Sequence, residues 1–582
     1  MGLVLRRSAW LLPAALVLLL YARTVGYGFA WDDFNYLYHE AGLRDWSFLW
    51  RALTRPFLDS YNYFRPLVLI SYALEQRAGG SAALSHATNV IIAAANALLV
   101  GALARRSAAQ LAPGIDAARA GVFAGLVYAA HPALVEATAW ISGRFDLAFT
   151  FFGLLLLWCD RAIARTAPRV AACALLFLLA ALCKEAALGL ALVLPLWQWM
   201  HAPADAGAAQ RRGDLFALLG AAAGGLIYLV LRHGALGYLH MDVTTAPYAD
   251  NVGHAAMVFM ALAGYAGLVL LPFGSVGPQH ELPPQGIEGF GAQALMGLLV
   301  LLLLLALAWR ALRGSRRQLL PLCAALALVP ALNIVPIEIK QNYMHDRFLQ
   351  FPLALLSVWL SLSLGSLPAR VRGWAGGLAL AWTAACALAS ASTIGHWQDD
   401  LSLWKWAYDR TPRSQTVIDN LQSSLFDAGD YENCRRFSEF IEQQEHGLTP
   451  LRRVRYALSL AQVDQGDAAV AQADQALGSP ELERTLPSQR ASMDAETGWI
   501  YLYEGYPEKA RERLTEALQL NPSAGEASYY MAATLMVLGD EAGAEPYRER
   551  ALGLLHPSQQ ARRAAQLAGF VETSRQRAAG RA

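Results

Sequence analysis

Charge is what this sequence has least of. Only 16% of its 582 residues are Asp, Glu, Lys or Arg, against about 25% in an average soluble protein, and the shortage is uneven. Up to about Ser392, apolar runs alternate with short polar loops. From about Trp397 the chain is polar, charged and without any run long enough to span a bilayer. That shift separates a large membrane domain, 1–394, from a second domain, 397–582, whose length suits one folding unit. A net charge of +1 gives no hint of nucleic-acid binding. Cysteine is scarce as well. Five of the six, Cys159, Cys173, Cys183, Cys323 and Cys386, lie in apolar stretches, so Cys434 stands alone in the polar part. A lone cysteine excludes an internal disulfide there, and no cysteine spacing reads as a metal site. The compartment is left open.

The chain starts MGLVLRRSAWLLPAALVLLLYARTVG, with Arg6 and Arg7 ahead of an apolar core and no small-x-small cleavage site behind it. This reads as an uncleaved signal anchor with its N-terminus inside. A span needs about 20 apolar residues. Candidates lie near 8–25, 86–104, 119–138, 145–162, 168–183, 186–200, 213–232, 254–272, 291–310, 318–337, 347–366 and 373–394. The arginine-bearing loops at Arg105/Arg106, Arg161/Arg165/Arg169, Arg211/Arg212, Arg310/Arg313/Arg316/Arg317 and Arg370/Arg372 mark the cytoplasmic side. The loops with Asp32, Arg144, Lys184, His240 and His345 then face the other way. If every segment crossed, the positive loop 310–317 would fall on the wrong side. The segment 254–272, with Gly264, Gly267 and Pro272, is therefore expected to be re-entrant or otherwise not to cross. About eleven crossings follow, and they put the second domain outside the cytoplasm.

The second domain repeats itself. Gly505, Ala510 and Ala517-Leu518 recur as Gly539, Ala544 and Ala551-Leu552, 34 residues on each time, which is the tetratricopeptide period. Pro522 breaks the chain between these copies. Looser earlier copies carry the same Gly-Asp turn in DAGDYENC near 427–434 and DQGDAAVA near 464–471. The fold class read from these patterns is all-α: a polytopic helical membrane domain followed by an α-solenoid, whose face usually holds peptide or protein.

Four polar groups interrupt the apolar background on the side away from the cytoplasm. GFAWDDFNY gives Asp32 and Asp33, directly after the first span and in a first external loop of 26–85. HPALVEATAWISGRFD gives His131, Glu136, Arg144 and Asp146. LCKEA gives Lys184 and Glu185, and KQNYMHDRFLQFP gives Lys340, Tyr343, His345, Asp346 and Arg347. A charge at mid-bilayer costs about 2.5–3.5 kcal/mol on insertion scales, so such residues face an aqueous cavity or a partner. Each group also has an ordinary structural explanation: a hairpin tip for Lys184-Glu185, an ion pair for Arg144 and Asp146, a satisfied turn for His131-Pro132, an interfacial anchor for Arg347. Together they place carboxylates and cations on one side of one membrane, as a site for an anionic, lipid-borne substrate would require.

WDDFNYLYHE, YFRPL, SHATN, HPALVEATAWISGRFDL, LCKE and HDRFLQFP, in this order and followed by tetratricopeptide repeats, resemble the transmembrane and tetratricopeptide-repeat O-mannosyltransferases and their bacterial relatives. These belong to the GT-C superfamily of polyprenyl-phosphate-dependent glycosyltransferases. HDRFLQFP departs from the family's ERLLYLPS-like form, with Asp346 as its acid and Gln350 and Phe351 in place of the usual residues. The resemblance implies transfer of a sugar from a polyprenyl phosphate to an acceptor hydroxyl, which needs a base, cations for the departing phosphate and in-line positioning. It implies Asp32 or Asp33 as the base, and neighbouring carboxylates raise each other's proton affinity. Arg347, Lys184 and Arg144 are expected on the donor phosphate, the guanidinium fork suiting phosphate geometry. His131, Glu136, Asp146, Glu185, Arg65, Asp346 and Tyr343 are expected around sugar or acceptor. Catalysis is expected without an obligatory metal, although a divalent ion held by Asp32, Asp33, His131 or Glu136 is an alternative. The loop 233–253 would close over the donor, and the repeats would present an acceptor protein.

Two further readings compete. One is a non-catalytic membrane scaffold whose repeats assemble an envelope or secretion complex. The other keeps a glycosyltransferase but moves its acceptor to glycan or lipid, or makes the chain a transporter or ligase of lipid-linked oligosaccharide. Abundant Ala, Leu and Arg suggest a GC-rich bacterium, hence inner membrane with the repeats in the periplasm, or the endoplasmic reticulum in a eukaryote.

Overall fold

The computed structural model describes residues 8–34, 37, 43, 45–56, 63–203, 205–239, 250–282, 286–334, 342–522, 524–553 and 557–581. Among these residues every extended element is a helix, and the one β-type pairing is an isolated bridge between Glu281 and Asn342. The protein is all-α. It forms two compact units, Met1–Ser414 and Gln415–Ala582. The first runs past residue 397 to take in the helix Asp400–Arg410, whose Leu403 and Trp404 are buried.

In the first unit nine helices among the described residues are long and apolar enough to cross a membrane, ten if one bent pair counts as a span. This is the architecture of a multi-pass membrane protein. The bent pair is Ala117–Ala130 with Pro132–Ala139, which turn by 64°. The bend falls at His131, because Pro132 has no N–H to continue the ladder and disfavours helical backbone before it.

Two expected spans take another form. Segment 186–200 is a turn of 3-10 helix, Glu185–Gly189, leading into a helix of only 12 residues, Leu190–His201, with Pro195 inside it. Segment 318–337 is likewise divided into Arg316–Leu319, Leu320–Ala327 and Val329–Ala331, with prolines at the starts of the second and third. The two broken segments pack together closely enough that a Cβ on Gly189 would lie 3.4 Å from the Ala327 carbonyl. Segment 254–272, expected to be re-entrant or otherwise not to cross, is one unbroken helix, Asn251–Leu270, rather than a re-entrant loop, and is capped by Asp250, which accepts from the Gly253 N–H at 2.7 Å. Gly264 does not break it but leaves room for the Met344 side chain, and Pro272 falls beyond its end.

The second unit is a stack of helical pairs: Gln415–Asp427 with Tyr431–Glu445, Pro450–Gln462 with Gly466–Leu477, Pro487–Tyr503 with Pro507–Leu520, and Gly525–Val537 with Glu541–Gly553, then a long helix Pro557–Arg581. The small residues read from the repeat, Ala510, Ala517, Ala544 and Ala551, are buried where the helices cross. In the turns Gly429, Gly505 and Gly539 adopt φ of 75°, 84° and 87°, the left-handed conformation that costs glycine least. In DQGD the left-handed residue is Asp464, while Gly466 is small because a Cβ there would sit 2.6 Å from Glu504 Cδ.

Candidate functional site

The loop after the first span is clamped atom by atom. His86 Nε2 donates to the Gly28 carbonyl at 3.0 Å, and the Trp140 indole N–H donates to the Ala30 carbonyl at 3.0 Å. Asp33 Oδ2 accepts from the Ala30 N–H at 3.1 Å, while its Oδ1 accepts from the Ser142 N–H and hydroxyl at 2.9 and 2.5 Å. Asp33 is fully buried. Burial pushes its pKa up to about 7 against those hydrogen bonds. Trp31 takes a left-handed backbone, φ 55°, which a bulky residue adopts only when its surroundings enforce it. They do so here: its ring stacks on Trp140 at 4.8 Å and its N–H donates to Asp400 Oδ1 at 2.5 Å. Asp32, between these two fixed residues, is partly exposed.

The SHATN and SGR stretches build the wall behind this loop. Asn89 donates to the Trp140 and Ile141 carbonyls at 2.9 and 3.1 Å, satisfying the break between two helices. Gly143 lets the chain pass Ala137, since a Cβ would lie 2.5 Å from the Ala137 Cα. Arg144, 1% exposed, departs from its expected place on the donor phosphate. Its guanidinium pairs with Glu75 at 2.8 Å and donates to Asn89 Oδ1, Ser71 Oγ and the Ser85 carbonyl at 2.8, 3.0 and 2.8 Å. A guanidinium has five N–H donors, and these four contacts commit it to the fold.

Arg347 and Lys184 do converge. Arg347 stands 6.0 Å from the Trp31 ring centre and 5.4 Å from that of Trp140, and it interacts electrostatically with Asp32. Both cations lie against the Phe348 ring, the Arg347 guanidinium 5.2 Å and Lys184 Nζ 4.2 Å from its centre. Glu136 holds Arg347 by accepting from its backbone N–H at 2.8 Å and from Nη1. Asp146 holds Lys184 through both oxygens, at 2.6 and 2.7 Å. Glu136 and Asp146, expected around sugar or acceptor, thus position the cations. Arg347 Nη1 also lies 3.0 Å from His345 Nδ1, and its Nε is 3.8 Å from Asp146 Oδ2, so the guanidinium bridges the Glu136 and Asp146 carboxylates. Burial pushes Lys184 down to about 8, although the Asp146 carboxylate works the other way. Arg65 and Glu185 form a two-point ion pair beside them, with Nε to Oε2 at 2.9 Å, and the Arg65 guanidinium lies over the Tyr63 ring at 4.3 Å. Burial alone would raise the Glu185 carboxyl, but Arg65 outweighs it and holds it at about 2.

Three expected substrate contacts have other duties. His131 is fully buried, with Nδ1 accepting from the Ala133 N–H at 3.2 Å and Nε2 donating to the Val269 carbonyl at 3.1 Å. It is a satisfied turn residue, and with both ring nitrogens engaged it does not join Asp32, Asp33 and Glu136 as a ligand set. Among the described residues no three His, Cys, Asp or Glu side chains form a metal-binding group. Asp346 accepts from the Gly277 N–H at 2.8 Å and from His280 Nε2 at 2.7 Å, and so fastens the Gly274–Glu281 stretch beside Arg347. Tyr343 accepts from Gln293 at 2.9 Å. It lines a pocket of about 340 Å³, with Gln279, Arg410 and Thr411 on other sides. Lys340 and residues 240–249 of the loop 233–253 lie outside the described residues.

Sequence reading missed Trp31, Trp140 and Phe348, the aromatic plates on which the charges sit, as well as Glu75 and Ser142. Trp31 and Phe348 adjoin Asp32 and Arg347, and Trp140 and Ser142 lie within the quoted SGR block. Glu75 alone had no local signal.

No family model matches the chain. Three curated relatives share part of it. Protein O-mannosyl-transferase TMTC2 of Mus musculus is 33% identical over 160 residues, covering 26% of this chain and 18% of its own length. Protein O-mannosyl-transferase Tmtc1 of Drosophila melanogaster is 34% identical over 186 residues, 30% and 21% of the two chains. Protein O-mannosyl-transferase Tmtc2 of the same organism is 29% identical over 225 residues, 36% and 23%. The match therefore spans about a fifth of each relative's length. Among solved structures, MamA protein is 15% identical with a TM-score of 0.21, covering 28% of this chain and 83% of its own. Yeast Tom70 is 11% identical with a TM-score of 0.23, covering 82% and 95%. At such scores neither bears on fold or function. The sequence kinship that the chain does have is with segments of proteins named as O-mannosyl-transferases.

Proposed function

We propose that the protein is a membrane glycosyltransferase of the O-mannosyltransferase kind, moving a sugar from a polyprenyl-phosphate carrier to a hydroxyl of a protein acceptor on the non-cytoplasmic face. The observation that carries this reading is the meeting of Asp32, Arg347 and Lys184 around Trp31, Trp140 and Phe348. A partly exposed carboxylate lies within electrostatic reach of a guanidinium, and that guanidinium and an ammonium stand against the same Phe348 ring.

Asp32 takes the acceptor proton as the hydroxyl oxygen attacks the anomeric carbon. The bond from that carbon to the phosphate oxygen breaks, and the polyprenyl phosphate leaves with an additional negative charge. Arg347 and Lys184 stabilise that charge, which is greater in the transition state than in the bound donor, as catalysis requires. Asp33 is the positioning residue that fixes the loop. The names of the partial relatives support the reaction class, and the repeats supply a surface for a protein acceptor.

The closed pairings of Arg347 with Glu136 and of Lys184 with Asp146 favour one rival, a scaffold in which these charges only hold helices together. Intact masses of exported proteins, compared between cells with the wild-type gene, without it, and with Asp32→Asn, separate the two. Sugar transfer predicts a mass increment on particular proteins that vanishes in both altered strains, while the Asp32→Asn protein stays inserted and folded. An increment that survives Asp32→Asn, or none in any strain, removes the transferase reading. Loss of a positioned general base costs about 10²–10⁴-fold in rate.

A further inference from the structure

In the second unit the first helices of three successive pairs, Pro450–Gln462, Pro487–Tyr503 and Gly525–Val537, stand side by side. The chain covers the last two of them with its own helix. Its last helix, Pro557–Arg581, has 25 residues, about 37 Å at 1.5 Å per residue. A helix that only closed the stack would stay on the last pair. This one continues over Gly525–Val537 and Pro487–Tyr503. Its end reaches the turn before Gly466–Leu477 and that helix's first residues, Arg577 meeting Asp464 at 3.3 Å and Arg581 meeting Asp467 at 2.9 Å.

One aromatic anchors it. Phe570 lies almost parallel to Trp499 and Tyr503, with ring centres 6.2 and 6.3 Å away, and at an angle to Tyr530 at 6.2 Å. Leu567 and Val571, on the same side of the helix, are buried. Gly505 permits the close approach, since a Cβ there would stand 2.8 Å from the Arg577 carbonyl carbon. Gly539, the corresponding residue one repeat later, has nothing near it.

Charge complements the anchor. Arg563 pairs with Glu526 at 2.9 Å, Arg575 with Glu541 at 3.2 Å, and Arg577 with Glu504 at 3.0 Å. The helix is therefore basic where the groove is acidic. The side chains of Asp464, Asp467, Glu526 and Glu541 remain mostly in solvent. Exposed pairs of this kind contribute little each and are screened by salt. The Ser574 hydroxyl is buried with no hydrogen-bond partner among the described residues. The contact is thus a small apolar patch with one buried acceptor, Glu504, which meets Arg577 and Arg581, and an otherwise exposed ionic rim.

We propose that this row of helices is a docking groove for a basic, aromatic-anchored helical segment of a partner protein, and that the C-terminal helix fills it as a displaceable self-ligand. The inference does not depend on the sugar-transfer reading. The test uses the full-length protein in detergent micelles and a fluorescent peptide of residues 557–581 as probe. In the wild type the groove is filled and capture is weak. Phe570→Ala combined with Arg577→Ala frees the groove, so capture strengthens at least about tenfold, because apparent affinity scales with the fraction of open groove. Added salt weakens it severalfold. Equal capture by both proteins, or none by either, overturns the proposal. Because the double variant could fail to fold, hydrogen exchange on the wild type gives a second reading. Saturating isotope-labelled peptide should speed exchange in 563–581 and leave 487–503 protected. Unchanged exchange, or release only as the chain dimerises, overturns it as well.

Discussion

Asp32 and Asp33 are neighbours in sequence and opposites in environment. One is partly exposed beside Arg347, and the other is sealed among the Ser142 and Ala30 donors. Asp33→Ala leaves those donors without an acceptor, so stability should fall by about 2 kcal/mol or more, read as a lower unfolding temperature. Asp32→Asn should leave that temperature unchanged. Equal destabilisation by the two would contradict this division. Lys184 gives a pH prediction. Its ammonium loses its proton at about 8 in the fold, against roughly 10.4 unfolded. Charge for a departing phosphate is present below about 8 and lost above it, so kcat/KM for the donor should fall between pH 7 and 9. The stability effect has the opposite sign. Between those two values the unfolded chain holds the extra proton, so the contribution of Lys184 to stability rises with pH across that window and is lost as pH falls through about 8. A donor kcat/KM that is flat over this range would separate Lys184 from the phosphate.

At the scale of elements, the site depends on two breaks in otherwise helical chain. His131-Pro132 turns one span by 64°, and Trp140–Gly143 turns the chain again before the helix Arg144–Ala162 begins. The second break presents Ser142 to Asp33 and the Trp140 ring to Trp31. It is possible because Gly143 has no Cβ to strike Ala137. Gly143→Ala should therefore cost about 1–3 kcal/mol of overpacking and displace Ser142, lowering the transfer rate although residue 143 touches no substrate. Thermal unfolding together with rate measurement checks it, and a wild-type rate in a folded Gly143→Ala protein would show that the break is not needed in this form.

Across the whole membrane unit, polar clusters occupy both ends of the helix Arg144–Ala162 and leave its middle apolar. Asp146 meets Lys184 near one end. Asp160, about 21 Å further along at 1.5 Å per residue, is buried with Arg161, Arg169 and Gln198 at 2.5, 2.7 and 2.9 Å. The first cluster adjoins Asp32 and the aromatic rings, whereas the second is an ion-pair network of Asp160, Asp214, Arg161 and Arg169. Removing one partner of a buried pair costs about 3–5 kcal/mol, so Arg169→Ala should lower the unfolding temperature while the donor KM of the remaining folded protein stays as in the wild type. A changed KM would mean that the two ends are coupled.

What the sequence determined by itself was whatever is local or periodic. The apolar runs, the 34-residue repeat and the glycine turns required only a neighbour in the chain, so helical class, membrane character and solenoid were legible. The charged motifs were legible too, because a charge in an apolar run needs a reason wherever it sits. Only the tertiary structure decided which charges converge. Arg144 and Arg347 look alike in sequence, yet Glu75, Ser85 and Asn89 tie one into the wall, while Glu136, His345 and Asp146 hold the other beside Lys184 and the aromatic rings. His131 and Asp346 were likewise absorbed by a backbone carbonyl and a distant loop. Hydrogen-bond saturation depends on partners tens to hundreds of residues away, and no local pattern carries that information.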